Sequence, residues 1–135
     1  MKIYSKILSI LFVPILGSFF GCGEKPGEEG GDSKASFAYV TNGVDPFWDL
    51  CAAGVRIAEK EFEVSCEVLM PPKGVVDQKR MMETLLAKGI DGIAVSPVDA
   101  ENQTPFLNEV AENTILITND SDAPKSKRLV FIGHE

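Results

Sequence analysis

The chain has 135 residues, enough for one domain of ordinary size, and its 44% hydrophobic and 24% charged composition is a normal globular mix. The formal net charge is −7 and no basic cluster stands in the body of the chain. That argues against a nucleic-acid binder, whose affinity rests on Lys and Arg neutralising phosphates, and leaves the acidic balance as a source of solubility.

Met1-Lys2-Ile3-Tyr4-Ser5-Lys6 reads as a short basic n-region, and Ile7 through Phe20 as an apolar h-region broken once by Pro14. The run is too short for a membrane span and suits a secretory signal, so residues 1–21 are assigned to a signal peptide. Phe19-Phe20-Gly21-Cys22 resembles the lipobox of bacterial lipoproteins, where the signal is cut before a cysteine whose thiol is acylated. It departs from that pattern at Phe19, where leucine is usual, and at Phe20, where a small residue is usual. Residues 22–34 are rich in Gly, Glu and Asp and carry nothing large and apolar, the composition of a flexible tether. Lipid attachment at Cys22 and a membrane-anchored, exported protein are therefore expected.

From Ser36 the chain alternates strand and helix. Phe37-Ala38-Tyr39-Val40 is a continuous apolar run, as in a strand covered on both faces. Thr41-Asn42-Gly43 is turn chemistry, and Asp45-Pro46 is an N-cap followed by an N1 proline. The helix from Pro46 to Glu63 carries Phe47, Cys51, Gly54, Val55, Ala58 and Phe62 on one expected inner face, with Trp48 at its border. Val64 to Met70 is the second strand, ended by Pro71-Pro72-Lys73-Gly74. A second helix runs to about Lys88 with Met81, Met82, Leu85 and Leu86 inward and Gly89 at C′. Ile90 to Ser96 is the third strand, and Thr104-Pro105 starts a third helix that ends near Asn113. Thr114 to Thr118 is the fourth strand, Asn119 to Arg128 a polar loop, and Leu129 to Ile132 a short fifth strand. This rhythm predicts an α/β fold, a doubly wound parallel sheet occupying residues 35–135.

Cys51 and Cys66 are expected as free buried thiols rather than a disulfide. The single histidine, His134, is penultimate, and no Cys/His group has metal spacing, so neither a metal nor another cofactor is expected.

Polar residues gather at the carboxyl ends of the strands: Asn42 and Asp45 after the first, Asp99 after the third, and Asn119, Asp120 and Asp122 after the fourth. Open α/β sheets hold ligands at that edge. Each residue also has a plainer role. Asp45 is an N-cap, Asp99 a turn former, Asn119 to Asp122 a loop of Asx turns, and Trp48 a core aromatic as readily as a platform. No Gly-x-Gly-x-x-Gly and no Gly-Lys-Ser/Thr follows the first strand, which disfavours a dinucleotide or triphosphate. No Ser/His/Asp or Cys/His set exists for nucleophilic catalysis. Carboxylates and amides that pair with hydroxyls, beside aromatic faces that pack on C–H groups, are what a polyol or sugar site needs.

From Phe37 onward the chain resembles the amino-terminal half of the sugar-binding, ribose-binding-like type I periplasmic binding proteins. The residues that carry the resemblance are Thr41-Asn42 with Asp45-Pro46-Phe47-Trp48, the run from Ala87 to Pro97, the run from Ile117 to Pro124, and the run from Lys127 to Gly133. It implies a receptor of a sugar ABC transporter or chemosensory system, not an enzyme. Its partners would be a monosaccharide and a membrane permease or sensor. By matching position, Asp45, Phe47, Trp48 and Asp120 become sugar contacts, joined by Asn42 and Asp122. Ser121 stands where ribose-type receptors carry arginine, which argues against ribose itself. The family is a two-lobed clamshell whose first lobe is completed by a returning strand and helix. The resemblance thus implies most of one lobe, as in a truncated or split gene product.

Three other readings compete. A repressor effector domain shares the fold but needs a DNA-binding segment where the signal stands. A small flavodoxin-like or Rossmann-like enzyme lacks its phosphate loop here. A structural lipoprotein that dimerises through its half-fold would bind no sugar.

Overall fold

The computed structural model describes residues 34–133. The signal peptide, Cys22, all of the tether except Lys34, and His134 lie outside the described residues. The elements run β1 (Ser36–Val40), α1 (Pro46–Glu61), β2 (Ser65–Leu69), α2 (Val75–Ala87), β3 (Gly92–Val95), α3 (Ala100–Asn113), β4 (Ile115–Asn119) and β5 (Phe131–Ile132). Every pairing is parallel and the strand order is β2-β1-β3-β4-β5. The chain leaves β1 toward β2 on one side and resumes at β3 on the other. The order therefore reverses between β1 and β3, where the two loops diverge and leave a crevice.

The two faces of the sheet differ. Ala38, Val40, Ile93, Val95 and Leu116 point to one face and are buried under Met82 and Leu85 of α2 and Leu107 and Val110 of α3. On the other face stand Phe37, Tyr39, Cys66, Ala94, Ile115 and Ile117, none of them fully buried among the described residues. α1 packs against this second face near β2. Between Phe37, Gly92, Ala94, Ile115 and Ile117 it leaves an apolar groove of about 220 Å³.

Local chemistry explains most boundaries. The Asp45 side chain accepts from Phe47 N at 2.8 Å and Pro46 opens α1. α2 ends in a Schellman motif: Gly89 has φ +74°, its N–H donates to Leu86 O, and Ile90 N donates to Leu85 O. The pairing of β5 begins before its regular residues, with Leu129 N donating to Leu116 O at 2.8 Å.

Two expectations are corrected. α3 starts at Ala100, not at Thr104, because Asp99 caps it by accepting from Asn102 N at 3.2 Å and from Asn102 Nδ2 at 2.7 Å. Pro105 consequently lies inside the helix, on its exposed side, where it leaves the Glu101 carbonyl without its usual donor. The inner face of α1 is also turned by about one residue from the expected one. Trp48 is its buried residue, while Phe47 and Phe62 are 50% and 67% exposed. The indole is the larger surface, and burying it against Tyr39, with ring centroids 6.0 Å apart, decides the helix rotation.

Among the described residues no helix is long and apolar enough to cross a membrane, and no His/Cys/Asp/Glu group could hold a metal. Cys51 and Cys66 are free and half-buried, and burial pushes the Cys66 thiol above its ordinary value.

Candidate functional site

Asp120 is the residue on which the carboxyl edge converges. It directly follows β4 and holds a φ of +60°, a left-handed conformation that Asp tolerates better than most residues. Its N–H is tied to Ile132 O at 3.1 Å, so β5 pins the backbone in that state. Its Oδ2 accepts from Ser96 Oγ at 3.1 Å and, more weakly, from Asn42 Nδ2 at 3.5 Å. Asn42 follows β1 and Ser96 follows β3, so these three side chains close over the crevice where the strand order reverses. Oδ1 of Asp120 accepts nothing from the described residues, and the residue is exposed.

Asp45 and Phe47 supply a second group. One oxygen of Asp45 caps α1, and the residue is exposed. The Phe47 ring meets Trp48 edge-on at 4.9 Å between centroids and leaves half its surface in solvent. Trp48, at 3% exposed, is the support beneath Phe47 rather than an open platform. Among the described residues neither Asp45 nor Asp120 takes a cation as partner. The edge therefore presents acceptors and an aromatic face, which suits neutral molecules rich in hydroxyl donors and repels anions.

Asp122 does different work from Asp120. Its carboxylate accepts from Nε and Nη2 of Arg128, from Thr118 Oγ1 at 2.7 Å and from Ala123 N at 2.7 Å. The Arg128 hydrogen bonds hold its carboxyl down at about 2. With both oxygens engaged, Asp122 closes the loop that carries Asp120. Behind it, Asn119 Nδ2 donates to Tyr39 Oη at 2.6 Å, a bridge from β4 to β1 across the face of β3 that carries the small Ala94. Asn119 Oδ1 is buried without a hydrogen-bond partner among the described residues. Burial, with Cys51 and Asp120 nearby, pushes the Tyr39 phenol above its ordinary range.

Sequence reasoning missed Ser96 and Gln78. Ser96 is fully buried at the end of β3 just before Pro97, and a hydroxyl at the carboxyl end of a strand was the available signal. Gln78 lies in α2, an element chosen for its apolar stripe. A glutamine one position before a charged residue gives no sign that it points inward.

Residues 37–135 match the family described as periplasmic binding protein domain. No curated protein matches the chain in sequence. Among solved structures, an ABC transporter solute binding protein from Burkholderia graminis in complex with D-arabinose is similar, at 26% identity and TM-score 0.68, over 73% of this chain and 35% of that one. A glucose-galactose binding protein from Geobacillus stearothermophilus aligns at 28% identity and TM-score 0.69, over 76% of this chain and 38% of its own. A periplasmic sugar binding protein from Legionella pneumophila aligns at 28% identity and TM-score 0.65, over 73% of this chain and 38% of its own. The chain thus spans little more than a third of the length of these relatives.

Proposed function

We propose, since the chain belongs to the periplasmic binding protein domain family, that it provides one wall of an extracytoplasmic sugar-binding site. The observation that carries this reading is the convergence of Asn42, Ser96 and Asp120 on one edge that also carries the half-exposed ring of Phe47. Asp120 and Asp45 would accept from sugar hydroxyls, Asn42 would bridge a neighbouring hydroxyl, and Phe47 would pack on the apolar C–H face. Trp48 would act by supporting Phe47, and Asp122 by holding the Asp120 loop. The relatives whose descriptions name D-arabinose and glucose-galactose support a monosaccharide as the ligand class. No covalent step is required of any of these residues, and the role is capture rather than catalysis.

In this reading the protein serves a sugar ABC permease or a membrane sensor from the outer side of the membrane, held there by lipid on Cys22. Metabolic labelling with a fatty-acid analogue should mark the wild type and not Cys22→Ser. Equal labelling of the two would remove the anchor.

The site is tested by titrating the full 135-residue chain with D-arabinose, D-galactose and D-glucose while following backbone and side-chain amide resonances. A sugar lying on one edge keeps its other face in water. A few hydrogen bonds worth about 0.5–1.5 kcal/mol each and one stacked ring then only partly offset lost translational freedom. Millimolar affinity, with shifts centred on Asn42, Phe47 and Asp120, is expected. A panel that moves none of these resonances overturns the reading.

A further inference from the structure

Among the described residues Gln78, one turn into α2 and 0% exposed, is a polar side chain wholly committed to the interior. Its Nε2 donates to Thr41 O at 2.8 Å and to Ser96 O at 2.7 Å. Its Oε1 accepts from Gln103 Nε2 at 2.8 Å and from Val98 N at 3.3 Å. All four hydrogen-bonding positions of the amide are thus filled, and the orientation of the amide is fixed by chemistry. The two carbonyls can only accept and the Val98 N–H can only donate, so the NH₂ faces the strands.

What the amide joins is more specific than core satisfaction. Thr41 and Ser96 are the first residues past the regular ends of β1 and β3. Their N–H groups still belong to the ladder, donating to Leu69 O and Val40 O at 2.9 Å. Their carbonyls come after the last rung, at the point where the two loops diverge, and no strand can pair them. Gln78 supplies the missing donor to both at once. The clamp continues through Gln103, 3% exposed, whose Oε1 accepts from Asp99 N at 2.8 Å, the residue that caps α3.

We propose that Gln78 is the positioning residue of the site: by clamping the carboxyl ends of β1 and β3 it sets where Asn42 and Ser96 meet Asp120. Ser96 is held twice, through its carbonyl by Gln78 and through its hydroxyl to Asp120. Asn42 directly follows the clamped Thr41 and reaches the same carboxylate oxygen. Gln78 is itself wholly buried and would touch no ligand. What the site binds rests on the sugar reading above; that Gln78 sets its geometry does not.

The test compares Gln78→Met and Gln78→Glu with Met82→Ala in the full 135-residue chain. Met82 is equally buried on the same helix but packs only in the apolar core. The readout is the chemical shift of the Asn42 side-chain amide and the Asp120 backbone amide, neither of which contacts Gln78. Both should move in either Gln78 variant and stay in place in Met82→Ala, although the latter lowers stability at least as much. Should Gln78→Met fail to fold, Gln78→Glu decides, since it keeps the volume and loses both donors. Shifts no larger than those of Met82→Ala would make Gln78 a core residue only and overturn the proposal. D-arabinose titration is the second arm, with Gln78→Glu expected to bind about tenfold more weakly than wild type. If wild type binds no sugar, the sugar reading fails while the shift comparison still decides the role of Gln78.

Discussion

Ser96 Oγ donates to Asp120 Oδ2 at 3.1 Å, joining the end of β3 to a residue whose backbone is left-handed. The hydroxyl holds one carboxylate oxygen and leaves the other to a ligand. Asp120→Asn keeps the acceptor and the tolerated backbone but removes the charge. It should leave the urea midpoint unchanged and weaken binding of D-arabinose about tenfold. Asp120→Val, by contrast, puts a β-branched residue at φ +60° and should cost about 1–2 kcal/mol of stability in the same urea titration.

Phe47 and Trp48 should separate cleanly in a pair of measurements. Trp48→Ala empties a buried indole site and should destabilise the chain by about 3–5 kcal/mol. Phe47→Ala, at a half-exposed position, should change stability by no more than about 1 kcal/mol and lose the sugar-induced shifts near Asp45. The opposite ranking in thermal melts would return Trp48 to the open surface.

The Arg128–Asp122 pair predicts an acid-sensitive loop. The folded carboxyl is held at about 2, below the ordinary 3.8, so the folded state binds fewer protons than the unfolded one between those values. The stabilisation is complete above about pH 5, fades as pH falls through 3.8, and is gone below about 2. With the pair partly open to water, its contribution is on the order of 1–2 kcal/mol. Asp122→Asn should remove that amount at pH 7 and flatten the stability profile between pH 5 and 2, measured by urea unfolding at each pH.

The apolar groove over Phe37, Gly92, Ala94, Ile115 and Ile117 should bind a hydrophobic dye in the native state. Ile115, 57% exposed, is the position to change. Ile115→Lys should lower dye fluorescence severalfold with little loss of stability, because the residue removed was half in water. Unchanged fluorescence would place the dye elsewhere.

The sheet was legible because its strands are short, apolar and separated by turn residues, so Phe37 to Val40 and Ile93 to Val95 leave few alternatives. The start of α3 was not, because Thr104-Pro105 has the form of a helix opening while the true cap, Asp99, is one carboxylate among several. At α1 the apolar spacing was compatible with two rotations one residue apart, and only the packing of Trp48 on Tyr39 selects one. The carboxyl-edge cluster was legible as a set of residue types at strand ends. Which of them meet was not. Asp120 with Ser96 and Asp122 with Arg128 are choices of side-chain direction set by φ at one residue and by a guanidinium on a later loop.

α1 buries one side chain fully, Trp48, in its first turn, and leaves Leu50 and Ile57 at 74% and 66% exposure. Its far end is tied to β2 through Cys66, whose N–H donates to Glu59 at 2.8 Å and whose carbonyl accepts from Arg56 Nη1 at 3.2 Å. A helix fastened at one end by an indole and at the other by two partly exposed polar side chains opens before the sheet does. Its backbone amides should therefore exchange with heavy water well ahead of those of β1 and β3, beginning at the carboxyl-terminal turns. Phe47 and Asp45 ride on that helix, while Ser96 and Asp120 stand on the sheet. The aromatic half of the edge thus rides on the element that opens first, and a ligand that stacks on Phe47 would slow exchange along the length of α1 without touching most of it.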